Sequence, residues 1–133
     1  MSYYQKPSLT TLNLIKAKNL ISDPSNWAQH IHIDGSRCCA SGAVHRCIDD
    51  FEVAPEWKDG AFAAKPDAPR GSIPDEYWFL RLALREIDPD GLGYIGTYND
   101  AEGRSHSEIL HLFDRAICLC IADALIATEE IRL

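Results

Sequence analysis

The strongest constraint in the chain is its last apolar stretch. Ile109, Leu110, Phe113, Ala116, Ile117, Cys120, Ile121, Ala124 and Leu125 recur at three- and four-residue steps, the period of one helix face. Leu112, Leu119 and Ile126 add apolar character on other sides, and a helix apolar almost all round belongs at the centre of a fold. Just before it, Ser105-His106-Ser107-Glu108 reads as a capping box, in which the Ser105 hydroxyl and the Glu108 carboxylate satisfy reciprocal free N–H groups. The last helix is therefore predicted to start at Ser105.

Other elements must cover that helix. Leu9, Leu12, Ile15, Ala17, Leu20 and Ile21 predict a first helix of about three turns, capped by Ser8 or Thr10 and stopped by Ser22-Asp23-Pro24. The alternation His30-Ile31-His32-Ile33 predicts a strand, and Asp34-Gly35 a two-residue hairpin turn into Ser36-Arg37-Cys38. From Cys39, the positions Ala40, Ala43, Val44, Cys47, Ile48 and Phe51 mark a second helix, with Ser36 or Ser41 serving its start. Ser72-Ile73-Pro74-Asp75 opens a third, lined by Ile73, Tyr77, Leu80, Leu84 and Ile87 and ended by Asp88-Pro89-Asp90-Gly91. Between these two helices, Pro55, Gly60, Pro66, Pro69 and Gly71 break any period over 52–72, which predicts one long loop packed onto the body by Trp57 and Phe62. The expected fold is mainly α, with about four helices around a central C-terminal helix, a small β-hairpin and one long loop.

Composition bounds the function. With 133 residues, 46% hydrophobic and 25% charged, the chain reads as a single domain over 1–133. Thirteen Lys and Arg against 20 Asp and Glu give a net charge of -7, the wrong sign for tracking phosphates, so nucleic acid is not an expected partner. Met1 to Pro7 lacks the apolar stretch of a signal peptide, and the run Ala116 to Ala122 is too short to span a bilayer. No membrane association and a cytoplasmic location are expected. The 5 cysteines are odd in number, and Cys118 and Cys120 point to different sides of a helix, so reduced thiols are expected.

Several short patterns invite chemistry. Gly91-Leu92-Gly93-Tyr94-Ile95-Gly96 matches a dinucleotide-binding glycine pattern, but it follows a helix instead of a strand, and no helix is expected until Ser105. The same region imitates a calcium loop from Asp88, yet Leu92 takes a ligand position and Asn99 stands where the bidentate glutamate belongs. His30, His32, Cys38, Cys39, His45 and Cys47 are zinc-type ligands without zinc-type spacing, so exposed histidines and core cysteines are expected, and no metal. Cys38 or Cys39 at a helix start is a formal nucleophile; His45 lies near two turns along the same helix, which leaves His106 as the base the fold would have to bring. Thr97 to Ser105 is the densest polar stretch, and it delivers Asn99, Asp100 and Arg104 to the start of the central helix, where anions are favoured. The same residues also suit an ordinary turn.

The pieces Trp27-x-Gln29, Asp34-Gly35, Cys39-Ala40-x-Gly42-Ala43 and Asn99-Asp100-x-x-Gly103-Arg104-Ser105-x-x-Glu108-Ile109-Leu110-x-Leu112-Phe113-Asp114-Arg115-Ala116-Ile117 resemble an uncharacterised domain-of-unknown-function family of small bacterial and phage proteins. The resemblance implies no activity. It does imply that the hairpin, the helix after Cys39 and the loop from Asn99 to Arg104 form one unit. The expected function is a non-catalytic binding or interaction module for an unknown protein or small molecule. Its expected site comprises Trp27, Gln29, Asn99, Asp100 and Arg104, with no cofactor. The alternative is a small enzyme using Cys39 with His106, or Asp100 as a base.

Overall fold

The structure is a computed structural model that describes residues 6–48, 69–91 and 93–132, with side chains as far as residue 126. It is mainly helical, with five α-helices and one two-stranded antiparallel hairpin among the described residues. In chain order these are α1 (Pro7–Leu20), β1 (Ile33–Asp34), β2 (Arg37–Cys38), α2 (Ala40–Cys47), α3 (Asp75–Ile87), α4 (Ile95–Asp100) and α5 (His106–Arg132). The long loop expected over 52–72, with Trp57 and Phe62, lies outside the described residues apart from its last four.

The C-terminal helix α5 packs along both α1 and α3, and α2 packs on α1. Ile109, Leu112, Phe113, Ala116 and Cys120 of α5 share one core with Leu14 and Ala17 from the first helix, Ile21 at its C-terminal cap, and Tyr77, Leu80 and Leu84 from the third. The expected capping box forms in full. Glu108 N donates to Ser105 Oγ at 3.2 Å, and Ser105 N donates to Glu108 Oε1 at 2.9 Å. Beyond Cys120 the helix leaves the core, with Ile121, Leu125 and Ile126 at 44%, 64% and 61% exposure. Its apolar ring is central only over its first half.

Three expectations shift. Helix α1 starts at Pro7, whose missing N–H and fixed φ suit the first helical position, and neither Ser8 nor Thr10 caps it. Its buried side is Thr10, Asn13, Leu14 and Ala17, while Leu9, Leu12 and Ile15 face outward. Asn13 turns inward because its amide donates to Glu76 Oε2, itself buried on α3, at 3.0 Å. Helix α2 is capped by Cys39, whose sulfur accepts from Gly42 N at 3.4 Å, and not by Ser36 or Ser41.

The hairpin is displaced by one residue. Ile33 pairs with Cys38 and Asp34 with Arg37, so the loop residues are Gly35 and Ser36, with Gly35 at φ 61° in the first loop position, where a type II′ turn favours glycine. Only Ile33–Asp34 forms the first strand. His30 sits at φ 64°, outside strand geometry, so His30 and His32 do not share a strand face.

Candidate functional site

The polar stretch before α5 is not a loop throughout. Residues Ile95–Asp100 form the short helix α4, which no side chain caps and which the sequence reading misses. At its end Asn99 is fully buried. Its Oδ1 accepts from Trp27 Nε1 at 2.8 Å and from Ala40 N, at the start of α2, at 3.1 Å. Its Nδ2 donates to Ala28 O at 3.0 Å and to Asp100 Oδ1 at 2.9 Å. A primary amide has two donors and one two-lone-pair acceptor, so Asn99 spends its whole capacity within the chain. It acts as a latch between the Trp27–Ala28 segment, α2 and α4.

The neighbours extend the latch. Gln29 Nε2 donates to the carbonyls of Asn99 and Ala101, both at 3.0 Å. Arg104 Nε donates to Tyr98 O at 2.8 Å, its NH1 pairs with Glu108 Oε2 at 2.6 Å, and its guanidinium lies 3.6 Å above the Tyr98 ring centroid. Asp100 Oδ1 also accepts from His30 N at 2.8 Å. Direct hydrogen bonds thus join Trp27, Gln29 and Asp100 to Asn99, whereas Arg104 faces Tyr98 and Glu108 and reaches the group only through the end of α4. The exposed edge of the group is His30, with its imidazole 75% exposed and Nδ1 3.9 Å from Asp100 Oδ2.

Cys39 and His106 are not brought into contact. His106 Nε2 donates to Ile21 O at 2.6 Å, and its ring sits 5.9 Å from that of Trp27. The imidazole beside Cys39 is His32, with Nδ1 3.7 Å from Cys39 Sγ. On its other side, His32 Nε2 lies 3.1 Å from His45 Nδ1. Ser41 Oγ stands 3.3 Å from the sulfur and 3.4 Å from His32 Nδ1. Desolvation first, and the neighbouring His45 second, hold His32 below the ordinary histidine value. Burial pushes the Cys38 thiol up, and the Cys47 thiol up to about 11, so neither is an activated sulfur.

A local signal for the His32–Cys39 pair exists in the sequence. With Gly35 and Ser36 as loop residues, the register that joins Ile33 to Cys38 places His32 opposite Cys39, and Cys39 N donates to His32 O at 3.2 Å. A turn centred on Asp34-Gly35 instead shifts every pair by two residues and hides it. Gly42 permits the approach, because a methyl group there would run into the His32 carbonyl oxygen.

Among the described residues no group of three or more His, Cys, Asp or Glu is arranged to hold a metal ion. The calcium-loop imitation fails on Asn99, whose side chain is committed to Trp27, Ala28, Ala40 and Asp100. No helix among the described residues is long and apolar enough to cross a membrane.

Fold and site together define a small helical protein in which one buried asparagine ties the N-terminal segments to the approach of the last helix. The chain belongs to a family of unknown function, DUF6197, whose model matches residues 7–119. That stretch contains the latch and the cysteine–histidine group. No curated protein and no solved structure matches the chain.

Proposed function

We propose that the chain is a binding module whose contact edge, itself non-catalytic, is the His30–Asp100 rim of the latch. One observation carries the reading. His30 is a non-glycine residue in the left-handed region, at φ 64°, a conformation that costs about 1–2 kcal/mol. Its amide is held there by Asp100 while its imidazole is presented to solvent. Backbone strain retained at an exposed polar side chain is a feature of recognition sites.

The residues take distinct parts in this reading. Trp27, Asn99 and Arg104 hold the rim rigid, Gln29 ties it to α4, and His30 with Asp100 faces the partner. Together they offer an acceptor carboxylate beside an imidazole, which suits a protein or small molecule presenting an N–H group or a positive charge. The net charge of -7 disfavours a phosphate backbone.

His30→Gly separates recognition from structure, because it removes the imidazole and the strain together. The variant is expected to melt no lower than wild type and to lose at least about tenfold in affinity, worth about 1.4 kcal/mol, for ligands found by NMR screening of metabolite mixtures. Amide shifts on binding should centre on Gln29, His30, Asp100 and Ala101. Ligands that shift other regions and bind His30→Gly as well as wild type would sink the proposal.

A further inference from the structure

Cys39, His32, Ser41 and His45 form a second cluster, independent of the His30–Asp100 rim. The sulfur stands at the start of α2, 3.7 Å from His32 Nδ1, and His32 Nε2 lies 3.1 Å from His45 Nδ1. One set of tautomers serves both contacts. The Cys39 S–H donates to His32 Nδ1, and His32 carries its own proton on Nε2 and donates it to His45 Nδ1. Nucleophile, base and orienting group then stand in the order that an activated thiol requires.

We infer that Cys39 is a nucleophile for a small acyl group carried as a thioester or activated ester, with His32 as its base and His45 as the residue that positions His32. A base must be neutral to take the thiol proton, and burial beside His45 favours the neutral form of His32. Cys39 is only 7% exposed, which restricts the electrophile to a small group. The Ser41 hydroxyl, 3.3 Å from the sulfur, can donate to an oxygen that gains charge on the attacked carbon. Acyl transfer uses such a donor, and disulfide exchange does not. The adjacent Cys38 is buried with its thiol pushed up, which makes it a poor resolving thiol.

The chemistry closes with water alone. Sγ bonds to the acyl carbon as the S–H proton passes to His32 Nδ1, and the carbonyl electron pair moves onto oxygen. Collapse restores the carbonyl and breaks the bond to the leaving thiol or alcohol, which takes the proton from His32. Water then attacks acyl-Cys39, His32 accepts its proton and returns it to the departing sulfur, and a carboxylic acid is released.

The test uses the full chain and para-nitrophenyl acetate, read by mass spectrometry and peptide mapping, with the exposed Cys118 as an internal reference thiol. Cys39 should be acetylated faster than Cys118 and then deacylate. Its rate should show an acid limb with a midpoint below the ordinary histidine value of about 6.5. His32→Gln should abolish that limb and slow acylation about 10²–10⁴-fold, while His45→Gln should move the midpoint upward. Acetylation of Cys39 no faster than of Cys118 overturns the inference. So does a wild-type rate that follows only ordinary thiol ionisation, a result that needs no variant to fold.

Discussion

Asn99 shows how much of this molecule rests on one side chain. Its oxygen accepts from Trp27 Nε1 and Ala40 N, and its nitrogen donates to Ala28 O and Asp100 Oδ1. Asn99→Asp keeps the shape and the acceptor but replaces the donor with an oxygen that faces a carbonyl and a second carboxylate. It is expected to lower stability by roughly 1–3 kcal/mol at neutral pH, the cost of buried groups left without partners. Protonating the new carboxyl restores a donor, so the loss should shrink in acid. Denaturant midpoints at the two pH values check this, and wild-type stability at neutral pH would mean that the amide is not a latch.

At the scale of elements, the start of α5 is the most self-contained feature. Ser105→Ala should cost about 0.5–2 kcal/mol through loss of the cap. The Ser105 backbone N–H, followed by the Arg104 and Ser105 side chains, holds Glu108 below its ordinary value of 4.5. A carboxylate depressed in the folded state stabilises the fold above its unfolded value and loses that contribution as pH falls through the folded one. Wild-type stability should therefore decline below pH 4.5, less steeply in Ser105→Ala. An unchanged denaturation midpoint in the variant would rule out the cap. This box was readable from sequence because both partners lie within four residues. The inner sides of α2 and α3 were readable because Val44, Leu80 and Leu84 keep their period. Helix α1 was not, since Asn13 faces inward for Glu76, 63 positions away on α3. Helix α4 is too short, at 6 residues, to show a period. In the candidate site, the clustering of Asn99, Asp100 and Arg104 was visible, but the burial of Asn99 depends on Trp27 and Ala40, which no local pattern announces.

Across the whole molecule, α5 grades from core to surface. Leu112 is fully buried, and Leu125 is 64% exposed. Leu112→Ala is expected to cost about 2–5 kcal/mol, transfer and cavity terms together. Leu125→Ala should stay within about 0.5 kcal/mol of wild type. Paired chemical denaturation of the two variants measures the gradient directly; equal losses would show that the second half of the helix is packed after all. Ion pairs at Lys18–Asp114 and Arg115–Glu86 accompany the packed half on its rim, where exposure limits their contribution.

The latch also sets a timetable for a chain made from its N-terminus. Asn99 meets Ala40 N and Trp27 Nε1 across 59 and 72 positions. At ribosomal speeds that separation is on the order of 3–15 s of synthesis. During this interval Leu14, Ala17 and Ile21 have emerged without α5 to cover them, while Trp27 and Ala28 wait for their amide. A nascent chain stalled before residue 99 therefore displays its apolar surface with its polar tie still missing, the condition in which chaperones and proteases compete for it.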